Sequence, residues 1–218
     1  MSIKAVVISV FTAVPVFFLT NHAQAIDYRV DIGAGWAIGE TDVDQSIDGY
    51  QTDGNVGTGS GPVASLSGWI DGLGYENLTL GLQYLFFHNS TEVKIKSPEG
   101  DKSRVDADLD VSNFMFNAAY RKNNGDIHPY GGVGVGVSII GLEASGRNAI
   151  TFPAFDDTQF TMTEVGPAGQ VYLGCDIDID DHWYAGASSR FFIAGAKFFG
   201  VDATTQQLML TANAGYKF

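Results

Sequence analysis

Apolar and polar residues alternate along eight separate segments of about ten residues each, and this recurrence limits the fold more than any other feature. The clearest segment is the last. Leu208, Leu210, Ala212, Ala214, Tyr216 and Phe218 fall on one face, and Gln207, Met209, Thr211, Asn213, Gly215 and Lys217 fall on the other. Successive side chains of a strand point to opposite faces, so the segment reads as a strand with one apolar and one mostly polar side. Its final aromatics suit a membrane–water interface, where amphipathic rings settle.

The same pattern recurs upstream. Tyr28, Val30, Ile32, Ala34, Trp36 and Ile38 oppose Asp27, Arg29, Asp31, Gly33, Gly35 and Ala37. A weaker segment, residues 63–71, carries Ala64, Leu66, Gly68 and Ile70 on its apolar face, and the third sets Leu78, Leu80, Leu82, Tyr84 and Phe86 against Thr79, Gly81, Gln83 and Leu85. The fourth ends on Phe114, Phe116, Ala118 and Tyr120, whereas Val105, Ala107, Leu109 and Val111 just before it run in the opposite phase. That phase change predicts either a bulge or a strand rising above the lipid. The fifth alternates valine with Gly132, Gly134 and Gly136. A phosphate-binding glycine loop needs a helix after it, and none is indicated; glycine leaving room for bulky neighbours inside a narrow barrel explains the pattern better. The sixth places Val171, Leu173, Cys175 and Ile177 outside, and the seventh Trp183, Ala185, Ala187 and Phe191.

Residues 1–25 carry Lys4, an apolar run from Ala5 to Leu19 and a small-x-small ending, Ala23-Gln24-Ala25. They read as a cleaved secretory signal peptide rather than an anchor, since the run is short and contains Pro15. No later stretch reaches the roughly 18 apolar residues a spanning helix needs. Residues 26–218, about 193 in number, are expected to form one domain. With 27 glycines, 12% aromatics and a mean hydropathy of +0.04, that domain suits a barrel whose lipid-facing and lumen-facing residues cancel. The lone Cys175 excludes an internal disulfide, and a net charge of −13 argues against a nucleic-acid partner.

The predicted fold is all-β: an eight-stranded antiparallel up-and-down transmembrane barrel. Short polar turns at 71–77, 122–128 and 178–182 alternate with long connections at 39–61, 88–104, 141–164 and 194–206. That asymmetry matches bacterial outer-membrane barrels, which keep their termini and short turns in the periplasm. A separate hairpin within 150–164 would raise the count to ten. His128-Pro129-Tyr130-Gly131-Gly132-Val133-Gly134-Val135-Gly136 and the terminal Tyr216-Lys217-Phe218 resemble the small outer-membrane barrel superfamily of opacity proteins, OmpA-type membrane domains and porin-family proteins. The resemblance implies the bacterial outer membrane and contact with its lipids and lipopolysaccharide. It also implies insertion by the barrel-assembly machinery, with Tyr216 and Phe218 as the signal, although Asn213 stands where a glycine is usual.

An eight-stranded lumen is just wide enough to be filled by side chains. Asp27, Arg29, Asp31, Asp176, Tyr184 and Arg190 are the expected polar network, with Arg29 and Arg190 paired to carboxylates because buried charges persist only when compensated. Asp71, Gln83, Asn117, Gln170, Tyr172 and Lys217 face the same way. The rival reading is a narrow ion-selective pore. Acidic residues gather in the long connections: Glu40, Asp42, Asp44, Asp48 and Asp53, then Glu92, Glu99, Asp101, Asp106, Asp108 and Asp110. They read as a solvated surface open to a loop ligand, since no framed calcium loop is present. No cofactor is expected, and a closed sheet without edges predicts a monomer. His88-Asn89-Ser90 resembles the tripeptide of outer-membrane lipid A deacylases, but nothing beyond it matches, and such a site also needs a carboxylate in fixed context. His22, His128 and His182 lie in the signal peptide or the short turns, so the expectation is no enzyme.

Overall fold

The computed structural model describes residues 27–43, 51–52, 56–72, 77–96, 102–122, 125–147, 159–198 and 201–218. Eight long strands, β1 (Asp27–Val43), β3 (Val56–Asp71), β4 (Leu78–Lys96), β5 (Lys102–Arg121), β6 (Ile127–Arg147), β7 (Gln159–Asp178), β8 (Trp183–Phe198) and β9 (Val201–Lys217), each pair antiparallel with their chain neighbours. β1 also pairs with β9, from Arg29↔Lys217 to Val43↔Ala203, and this last ladder closes the ring. The expected eight-stranded barrel is what forms. A two-residue strand, β2 (Gln51–Thr52), lies against the tip of β4 and was not foreseen.

The strands run 16–21 residues, well beyond the roughly 9–11 needed to cross a bilayer. The long connections expected from the sequence are therefore mostly two-stranded extensions of the barrel wall. β8 and β9 stay paired up to Phe198↔Val201, and β4 and β5 up to Lys96↔Lys102. Beyond the lipid no apolar outer face is required, so alternation fades while the backbone ladder continues. The signal peptide and Asp44, Asp48, Asp53, Glu99 and Asp101 lie outside the described residues, as does most of the suggested hairpin at 150–164. Glu40, Asp42, Glu92, Asp106, Asp108 and Asp110 lie on strands.

β5 carries no bulge: it pairs without a register break against both β4 and β6. Leu109 and Val111 point inward like Met115, and all three are buried. The change of phase in the sequence marks a change in what fills the lumen. At the opposite end the chain turns tightly, with Gly72 and Gly125 at φ of 79° and 77°, where a side chain would be strained. In the β7–β8 turn Asp180 accepts from the amides of His182 (2.8 Å) and Trp183 (2.7 Å). These bonds, Trp183's foremost, hold its carboxyl below the usual range.

Candidate functional site

The lumen is filled in layers, and the inward residues of β4 list them in order: Thr79, Gly81, Gln83, Leu85, Phe87 and Asn89. Nearest the short turns is an ionic layer. Arg29 binds Asp71 through Nε (2.5 Å) and Nη2 (3.2 Å), and the Thr79 hydroxyl also donates to Asp71. Asp176 lies between two guanidiniums, 3.6 Å from Arg29 and 3.4 Å from Arg121, and accepts from Asn213 at 3.2 Å. Asp31 accepts from the Trp69 indole (2.6 Å) and the Tyr184 hydroxyl (3.3 Å), while Arg29 lies over the Tyr184 ring. The structure thus brings Arg29, Asp31, Asp176 and Tyr184 together. It adds Arg121, the last residue of β5.

Two expected members sit elsewhere. Asp27 is exposed at the barrel end. Among the described residues Arg190 pairs with no carboxylate: its Nη1 donates to Gln83 (2.5 Å) and Gln170 (3.1 Å), and its guanidinium covers the Tyr172 ring. The inward residues that reach it carry amides, and the acids lie one layer lower. Gln170 continues this second layer to Asn117 (2.7 Å), and Gln83 continues it to Ser67 (3.1 Å). A cavity of about 30 Å³ lies at the ionic and amide layers, lined among others by Asp31, Arg121, Asp176 and Arg190.

Above the amides the lumen is mostly apolar, broken by the buried Asn113, which donates to the Leu85 carbonyl (3.1 Å), and Ser138. Leu85, Phe87, Val111, Phe192 and Met209 are fully buried, and the Phe87 and Phe192 rings meet edge to face at 5.5 Å. A fourth layer, Asn89 bonded to Gln207 (2.9 Å) and Gln207 to Thr205 (3.1 Å), caps them. The inward glycines of β6 fit this filling. A Cβ on Gly132 would strike the Tyr172 hydroxyl, and one on Gly134 the Asn117 amide oxygen.

The outer wall is a band of exposed Ile32, Leu82, Val133, Val135, Leu173, Leu208 and Leu210. At the short-turn end it closes with an aromatic rim, in which Tyr216 packs on Trp183 (5.2 Å), Phe218 (5.1 Å) and His182 (5.5 Å). Lys217 and His128 converge on Asp178 just inside that rim.

On the opposite side of the band, β4 and β5 carry a second polar constellation on their outer face. His88 stands directly across from Asp110 in the ladder, and its Nδ1 lies 2.7 Å from the Asp110 carboxylate. Its other nitrogen, Nε2, lies 3.2 Å from the Ser90 hydroxyl. The carboxylate absent from the sequence reading is therefore supplied by register, from a residue 22 positions away. Below the group, Tyr84 and Phe114 pack at 5.1 Å, and the Tyr84 hydroxyl meets Ser112 at 3.1 Å. Among the described residues no three His, Cys, Asp or Glu side chains converge as a metal site.

An apolar exterior, an aromatic rim and a filled polar interior define a transmembrane β-barrel of the outer-membrane type. The family model for the outer membrane protein beta-barrel domain matches residues 9–218, and the chain belongs to that family. No curated protein matches the sequence. Among solved structures, Neisserial surface protein A is 15% identical with a TM-score of 0.52, over 89% of this chain and 100% of that one. The outer membrane protease OmpT of Escherichia coli is 9% identical with a TM-score of 0.54, over 90% and 99%. OprG of Pseudomonas aeruginosa is 16% identical with a TM-score of 0.45, over 89% and 97%. At such identities the likeness is one of fold.

Proposed function

We propose that this protein is a sealed outer-membrane barrel that does its work on its outward and cell-surface faces, in envelope integrity or surface interaction, and conducts nothing. The observation that carries this reading is the filled lumen: ionic, amide and apolar layers follow one another, with Phe87 and Phe192 fully buried among the last. An ion would have to displace every layer in turn, and buried charges so held are costly to separate. The lipid-facing band supports contact with outer-membrane lipids and lipopolysaccharide. The extended, acid-bearing strand pairs beyond it offer a surface for a ligand. Residues 1–25 direct export, Tyr216 and Phe218 are read by the barrel-assembly machinery, and the closed ring stays monomeric.

Refolded into a planar bilayer, residues 26–218 should be electrically silent while migrating on gels as a heat-modifiable barrel. Discrete conductance that changes on Arg190→Ala would replace this reading with that of a small channel.

A further inference from the structure

We propose that Ser90, His88 and Asp110 form a nucleophile–base–carboxylate triad that hydrolyses acyl esters of lipids in the leaflet around the barrel. This goes beyond the anchoring role and is independent of whether the lumen conducts.

Three observations support it. The first is connectivity: Asp110 to His88 Nδ1 at 2.7 Å and His88 Nε2 to Ser90 Oγ at 3.2 Å is the order in which a carboxylate orients an imidazole and the imidazole deprotonates a hydroxyl. With Nδ1–H donating to Asp110, the free lone pair of Nε2 faces Ser90. The second is rigidity. Residues 88 and 90 are alternate members of one strand, so both project to the same face, and Asp110 is held opposite His88 by a ladder unbroken from Leu78↔Tyr120 to Lys96↔Lys102.

The third is position. Along the outer face of β4 the sequence runs Leu78, Leu80, Leu82, Tyr84, Phe86, then His88 and Ser90; along β5 it runs Phe116, Phe114, Ser112, Asp110. The triad thus begins where the lipid-facing side chains change from apolar to polar. In a bilayer that boundary lies between acyl chains and headgroups, where ester carbonyls sit. A structural role explains the group less well: an exposed ion pair adds little stability, and His88 and Asp110 have side chains 39% and 61% exposed.

The reaction follows from the atoms present. Ser90 Oγ adds to the ester carbonyl as its proton passes to His88 Nε2. The tetrahedral adduct collapses, the alkoxide of the deacylated lipid leaves, and it takes that proton. Water then attacks the Ser90 acyl ester, again giving a proton to His88. The released fatty acid and the restored serine complete the cycle, with one ester bond and one water consumed.

The test uses residues 26–218 refolded into vesicles, with heat-modifiable migration confirming the fold of every variant. One arm contains phosphatidylethanolamine and phosphatidylglycerol, the other lipopolysaccharide; fatty-acid release by mass spectrometry tells which lipid is the source. Release should fall to background in Ser90→Ala and by roughly 10²- to 10⁴-fold in Asp110→Asn. A fluorophosphonate probe should label the parent chain and not Ser90→Ala, and His88→Ala should slow labelling. A folded barrel that neither releases fatty acid in either arm nor takes the label overturns the proposal, as does labelling that survives in Ser90→Ala.

Discussion

Replacing Asp176 by alanine is expected to destabilise the barrel by roughly 3–5 kcal/mol, the range for removing one partner from a buried ionic cluster. Asp176 lies between Arg29 and Arg121 and accepts a further bond from Asn213. Without it the two guanidiniums lose the carboxylate that lies between them. Arg29 retains the bidentate grip of Asp71. Asp176→Asn keeps the volume and removes the charge; it should cost nearly as much if charge balance rather than packing is what matters. Asp27→Ala, at an exposed position, should change stability by no more than about 0.5 kcal/mol. Urea unfolding in lipid vesicles, followed by tryptophan fluorescence, separates these outcomes. Equal unfolding midpoints for Asp176→Ala and Asp27→Ala would mean that the ionic layer is hydrated and contributes little.

The parts of this molecule legible in its sequence are those that lipid enforces. A strand crossing the bilayer must be apolar on one side, so all eight crossings announced themselves by period, and with them the outward set from Tyr28 to Phe218. Inward residues could be assigned to a face but not to a partner. Arg190 and Asp31 share that face, yet the layer each occupies depends on the stagger of strands around the ring, which local spacing does not contain. Arg121 escaped because its strand was ended at Tyr120, one residue short. The strand ends beyond the membrane escaped for a related reason: with water on both sides, neither face is obliged to be apolar. The His88–Asp110 contact is the clearest case. Each residue was visible, the one beside a serine and the other among the acids, and only the hairpin register places 110 opposite 88. A fixed position for the β4–β5 turn would have yielded that pairing from the sequence alone.

The layered lumen makes a further prediction that distinguishes a plug from a chain of independent seals. Phe87→Ala and Phe192→Ala should each cost roughly 3–5 kcal/mol, since both rings are fully buried and their removal leaves a void the rigid wall cannot close. The rings touch at 5.5 Å, so the double variant should lose less than the sum of the two. Emptying the apolar layer does not by itself open a path. Beneath it the amide layer still crosses the lumen, from Ser67 through Gln83 to Gln170 and Asn117, with Arg190 bonded to both glutamines. The double variant should therefore be less stable and still silent in a planar bilayer. Adding Arg190→Ala unties the two glutamines from a third strand, and conductance that appears only then would mean that the ionic layer below is no barrier. Conductance already present in the double variant would assign the whole barrier to the two phenylalanine rings. Silence in the triple variant would assign it to the ionic layer below, where Arg29, Asp71, Asp176 and Arg121 would then be the effective gate.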